Sequence, residues 1–187
     1  MTNLLATVVD FQMHTTAVVR ALEHYKAKRR EEIRTIEGLT AVFSRYPDDQ
    51  AGNTELARHL WGYKLWTRAH MLRDLVAFFE EQGVTDQDAL RRWAIASDFR
   101  RDFEGRIRGL GLAVYKWLVM RQGVDTVKPD VRLRRFTEAI VGRRLTDAEL
   151  VALLEAAAKE LEMPAYRLDW AIWESMQRPS GSSLESQ

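Results

Sequence analysis

Apolar residues recur at three- and four-residue intervals along nearly the whole chain, and no stretch alternates apolar and polar positions between turn residues. That pattern predicts an all-α fold. Leu4, Val8, Phe11, Val18, Leu22 and Tyr25 fall on one helical stripe, predicting a long N-terminal helix over about 3–36 with room for an interruption. Its charged end, KAKRREEIR, reads as exposed. A turn-rich stretch over 46–53 predicts a loop, and a second apolar series (Leu56, Leu60, Leu65, Leu72, Leu75, Val76, Phe79) follows, with Gly62 as the point where it divides. Thr85 with Asp88, and Thr146 with Glu149, have the spacing of capping boxes, while Pro164 opens a last helix carrying Trp170 and Trp173.

The chain has 187 residues, 46% hydrophobic and 29% charged, enough for a substantial core and unlike a disordered or collagenous sequence. It reads as a single all-α domain over 1–177, a helical bundle in two lobes, followed by a polar tail at 178–187 expected to be disordered. Cysteine is absent, which removes disulfides, thiolate metal sites and cysteine nucleophiles together. No apolar run approaches the roughly 20 residues of a membrane helix, and no secretory leader is evident. The sequence therefore reads as soluble and cytoplasmic, with no membrane partner.

Charge changes the picture by its distribution. Net charge is only +1, yet between Asp98 and Arg144 twelve Lys/Arg face six acids, a surplus of six, and the remainder carries a deficit of five. A basic block on an acidic body is what a phosphate-binding face looks like, and also what a solvated helix surface looks like. Within this block, Arg106 to Phe136 reads RIRGLGLAVYKWLVMRQGVDTVKPDVRLRRF. Gly109-Leu110-Gly111 lies between helix-compatible sequence and the amphipathic run of Leu112, Tyr115, Leu118 and Val119, predicting helix, tight hairpin, helix. Glycines let such a turn take positive φ and let a ligand approach the backbone, and free amides opening the second helix can hold phosphate. A G-x-G before a helix is also an ordinary turn.

Asp130 lies 19 positions after Gly111 in VKPDVRLRRF, with Asp125 as a competing carboxylate. With it, the segment resembles the helix-hairpin-helix DNA glycosylase superfamily, in which a hairpin L-P-G-[VI]-G, a helix and a loop precede an aspartate opening the next helix, commonly V-D-T-H-[VI]-x-R-[VF]. Ile107-Arg108-Gly109-Leu110-Gly111 is similar to the hairpin and Pro129-Asp130-Val131-Arg132-Leu133-Arg134-Arg135-Phe136 to the aspartate segment. Departures are Arg108 for the usual proline, Arg132 for the frequent histidine, and no cluster cysteines. The matching residues cover roughly a sixth of the chain.

The resemblance implies base-excision repair of double-stranded DNA. The backbone would be gripped at Gly109, Leu110, Gly111 and Ala113 with Arg106, Arg108, Lys116 and Arg132, and Asp130 would act at the sugar. Ala113 stands where relatives that also nick the strand resemble lyases with a lysine, so a monofunctional glycosylase is implied. No cofactor is expected, although the resemblance allows a monovalent cation on hairpin carbonyls. Asp130 is equally an N-cap, and Lys116 is a phosphate contact or a solvated residue. Trp61, Tyr63, Trp66 and Trp170, with Trp173, are either core or the lining of a pocket for a flipped base. His59 and His70 are too scattered to suggest a metal site. Two other readings compete with the enzyme: a non-catalytic helix-hairpin-helix DNA-binding module, and an all-α protein-interaction domain dimerising through the N-terminal helix.

Overall fold

A computed structural model describes residues 1–10 and 13–176. Phe11 of the N-terminal stripe and the 178–187 tail lie outside the described residues. Secondary structure among the described residues is helical throughout, as the 3.6-residue periodicity predicts, and two compact units divide the chain at Gly123/Val124.

The first unit contains α1 (Thr2–Asp10), α2 (Thr15–Lys28), α3 (Ile36–Phe43), α4 (Gln50–Trp61), α5 (Trp66–Glu81), α6 (Gln87–Ala96), a five-residue π turn (Phe99–Phe103) and α7 (Leu112–Met120). The predicted helix over 3–36 is therefore corrected to two helices and the approach to a third. Burial explains the difference. Every residue from Leu4 to Val9 is buried, so α1 has no polar face and packs against α2, α5 and α7 as a central helix, whereas α2 buries only the stripe of Val18, Ala21 and Tyr25. The charged stretch after Lys28 leaves the helix but is not wholly exposed. Ile33 is fully buried, and the Tyr25 hydroxyl donates to its carbonyl at 2.7 Å.

Capping residues set the other boundaries. Asp49 accepts from the Gly52 amide at 2.7 Å and starts α4 inside the predicted 46–53 loop. Gly62, at φ +74, ends α4 in the left-handed region, where only glycine is unstrained, and divides the second apolar series. The predicted Thr85/Asp88 box is replaced by Asp86, which accepts from the Ala89 amide. Trp93, Phe78, Phe79, Phe103 and Tyr115 pack largely edge to face: Phe79–Trp93 centroids are 5.0 Å apart at 86°, and Phe78–Phe103 centroids 5.5 Å apart at 89°. This cluster, with buried Ile107 and Leu110, fixes the chain that leads to α7.

The second unit contains α8 (Val131–Val141), α9 (Asp147–Glu160) and α10 (Ala165–Ser175), with α10 packed on both others around Val127, Leu133, Leu150, Leu154, Ala158 and Ile172. Thr146 and Glu149 form the reciprocal capping box the sequence predicts, and Pro164 opens α10. Arg134 ties α8 to the start of α9 through Asp147 and the Leu145 carbonyl. Among the described residues no helix is long and apolar enough to cross a membrane.

Candidate functional site

The residues singled out by sequence fall into two places, one in each unit. In the first unit the hairpin makes a tight turn and opens α7, but what precedes it is the π turn and not the regular helix expected there. Only one of its glycines needs positive φ. Gly109 sits at φ +85, where a Cβ would also come within 2.7 Å of the Met71 methyl. Gly111 is the N-cap of α7 at an ordinary φ of −100, and a Cβ there would meet open space. Gly109→Ala is therefore expected to destabilise by ~1–2 kcal/mol while Gly111→Ala leaves the melting temperature unchanged, a contrast that thermal unfolding measures directly. Leu110 is buried and anchors the turn, while Ala113 is half-buried in the first turn of α7.

The basic block is only partly available. Arg134 and Arg143 are committed to Asp147 and Glu149, Arg101 to Asp102, and Arg121 lies 4.3 Å over the Trp117 ring, its pKa lowered by burial. Arg106 is exposed, 4.0 Å from Glu81 and over the Phe78 ring. Arg100, Arg108, Arg135 and Arg144 are exposed with no ion pair among the described residues. Lys116 is half-buried on α7.

In the second unit Asp130 is the N-cap of α8. Its Oδ1 accepts from the amides of Arg132 (2.8 Å) and Leu133 (3.0 Å), while Oδ2 takes no hydrogen bond among the described residues. The backbone locks this carboxyl further: the Asp130 amide donates to the Lys128 carbonyl at 2.7 Å, and the Lys128 amide donates to Asp169 Oδ2 at 2.7 Å. One carboxylate thus holds the turn that presents another. Asp169 has its pKa raised to about 6, chiefly by burial and further by the charge of Asp130, against the opposing Lys128 amide and ammonium.

Asp125, the competing carboxylate, is also a cap. Its Oδ2 and Oδ1 accept from the amides of Ala165 and Tyr166, each at 3.1 Å, satisfying the first turn of α10 from forty residues away. Both of its oxygens are occupied, whereas Asp130 keeps one for other work.

The aromatics divide in the same way. Trp61 is 1% exposed and belongs to the core of the first unit, with no face to offer a base. Tyr63 is half-buried and Trp66 exposed beside it. Trp170 is exposed and stacks on Trp173 with centroids 5.1 Å apart at 24°, and the Arg132 guanidinium lies 4.7 Å from the Trp173 ring. A separate cavity of about 260 Å³ in the first unit, lined by Met1, Leu4, Arg34, Gln87 and Leu90 among others, holds none of the candidate DNA-binding, catalytic or base-pocket residues.

Asp169 is the functional residue that sequence reasoning missed, although a signal was present. Ala165 and Ile172 are the buried positions of α10, and helical spacing puts Asp169 on their side. A carboxylate on the apolar face of an amphipathic helix is a marked position.

Among the described residues no group of three or more His, Asp or Glu is placed to hold a metal ion. No curated protein and no solved structure matches the chain. A family model matches residues 5–178, and the chain belongs to the family described as Domain of unknown function (DUF8548).

Proposed function

We propose that this protein binds double-stranded DNA and hydrolyses the N-glycosidic bond of a damaged base, as a monofunctional glycosylase. The observation that carries the reading is Asp130: a carboxyl oriented by two helix amides through one oxygen, with the other free of hydrogen bonds among the described residues, near the half-buried Asp169. Breaking the bond from C1′ to the base nitrogen builds positive charge on the sugar, which a fixed carboxylate stabilises. Water adds its hydroxyl to C1′ and its proton leaves on the base, with the carboxylate orienting that water. The exposed hairpin, with Arg106 and Arg108 beside it, would contribute phosphate contacts that position the duplex without reading its sequence. The backbone carbonyls of that turn are also where a monovalent cation would bind.

The test is a screen of duplexes carrying single alkylated, oxidised, deaminated or mismatched bases. One lesion is expected to yield an intact abasic strand that breaks only after alkali, because Ala113 offers no amine for a Schiff base, and borohydride is expected to trap nothing. Gly111→Glu, which sets a negative charge at the start of α7, is expected to weaken duplex binding at every sequence, and the log affinity of the wild type is expected to fall linearly with log salt. A borohydride adduct would overturn the monofunctional assignment and direct attention to Lys116. Absence of duplex binding at low salt would overturn the reading in favour of a protein-interaction domain.

The burial of Trp61 removes one expected pocket side chain and favours a second reading, a DNA-binding module without catalysis. Duplex binding with no lesion excised would support it.

A further inference from the structure

The face of α10 that carries Trp170 is not used by the chemistry at Asp130. Trp170 is 58% exposed, a large apolar area to leave in water, and it is layered nearly parallel on Trp173. The Arg132 guanidinium lies 4.7 Å from the centroid of the Trp173 ring, and its Nη1 is buried without a hydrogen-bond partner among the described residues. Trp173 thus contacts both a cation and a second indole. The cation–π contact helps hold Trp173, and Trp173 in turn supports the exposed Trp170.

We infer that Trp170, backed by Trp173 and Arg132, is a stacking platform for an unpaired nucleobase of single-stranded DNA. The inference rests on the reading above for the identity of the polymer. Ring geometry favours this occupant because a nucleobase adds a further planar layer to the stacked indoles, and every base has a face to offer. Cations are at hand as well, alongside the exposed carboxylate of Glu174 one turn after Trp170. Arg167 lies three residues before Trp170 on α10, and Arg135 three residues after Arg132 on α8, so Arg167 shares a helix side with Trp170 and Arg135 with Arg132. Both are exposed, and neither is ion-paired among the described residues. Phosphates on either side of a stacked base would meet them. Tyr166, one turn before Trp170 and 48% exposed, has the spacing to extend the same surface.

The experiment is titration of the full chain with a short oligothymidylate and with an abasic oligomer of the same length and charge. Intrinsic tryptophan fluorescence and anisotropy of a labelled strand are the readouts. Oligothymidylate is expected to quench the fluorescence and to bind more tightly than the abasic oligomer by roughly 5- to 100-fold, the range one base–aromatic stack contributes. Trp170→Ala is expected to remove that difference, Trp170→Tyr to restore most of it, and Leu153→Ala, another exposed apolar residue of the second unit, to change nothing. Because Trp170 is at the surface, its truncation leaves the core intact. Equal binding of the two oligomers by the wild type, or an unchanged preference in Trp170→Ala, would overturn the platform. So would a preference for RNA over DNA of the same sequence, or a protein partner that saturates Trp170 and leaves the DNA affinity unaltered. The lesion screen is a separate arm: loss of the glycosylase reading with base-dependent binding intact leaves the platform standing, and the reverse leaves the glycosylase.

Discussion

Asp130→Asn is expected to excise the responsive lesion on the order of 10²-fold more slowly than the wild type, with duplex affinity unchanged and little loss of stability. The two halves of that expectation have separate causes. Asparagine caps helices about as well as aspartate, and its carbonyl oxygen can take over the amides of Arg132 and Leu133 that Oδ1 now accepts. What disappears is the negative charge that would face the sugar cation.

Asp125→Asn has the opposite profile. Both Asp125 oxygens accept amides of α10, and an asparagine can present an acceptor to only one of them, turning an NH₂ toward the other. Destabilisation of ~1–2 kcal/mol follows, with the excision rate of the folded fraction preserved. Single-turnover excision and thermal melting of both variants give the four numbers needed. Wild-type excision by Asp130→Asn would remove the catalytic role, and loss of excision by Asp125→Asn with its melting temperature intact would transfer that role to Asp125.

Those two aspartates mark how far the sequence was legible. Helical periodicity identified the fold class, and the glycine pair and the spacing to Asp130 located a turn, a helix start and the cap of α8 without coordinates. The capping role of Asp125 is not legible, because its partners are forty residues on; a cap supplied across a tertiary contact leaves no local spacing to detect. The N-terminal helix failed for a related reason. Leu4, Val8 and Val18 fit one stripe, but burial of the intervening residues of α1 depends on α5 and α7, which a stripe count does not contain. Trp61 and Trp170 look equivalent as aromatics at helical spacing, and only packing makes one core and the other surface. Within the hairpin, the need for glycine at 109 and its dispensability at 111 follow from φ and from Met71, neither of which sequence displays.

Asp169→Asn is expected to make the protein more stable, and only at the higher pH. A carboxyl that titrates near 6 in the folded chain and near its ordinary value of 3.8 when unfolded keeps its proton in the native state across that interval while the unfolded chain gives it up. Its contribution to stability is therefore full below about pH 4 and is lost as pH rises through about 6, by on the order of 3 kcal/mol. Asparagine stays neutral throughout and still offers an oxygen to the Lys128 amide, so the variant escapes that loss. At pH 4 the two proteins should melt together; at pH 8 the variant should melt higher by roughly 5–10 °C. Asp102 and Glu149, both held near 2 by their arginine and amide partners, lose stabilising charge at the acid end, but equally in both proteins, so the difference curve isolates Asp169. A variant less stable than the wild type at pH 8 would mean that the Lys128 ammonium outweighs burial and that Asp169 is a structural anion. The expected gain has the more telling consequence. A half-buried acid that costs stability at neutral pH, and that a neutral isostere relieves, serves something other than the fold; the charges that act on it are those of Asp130 and Lys128. If Asp169 also tunes or positions Asp130, the stabilised variant should excise more slowly and lose the inflection near pH 6 from its rate profile.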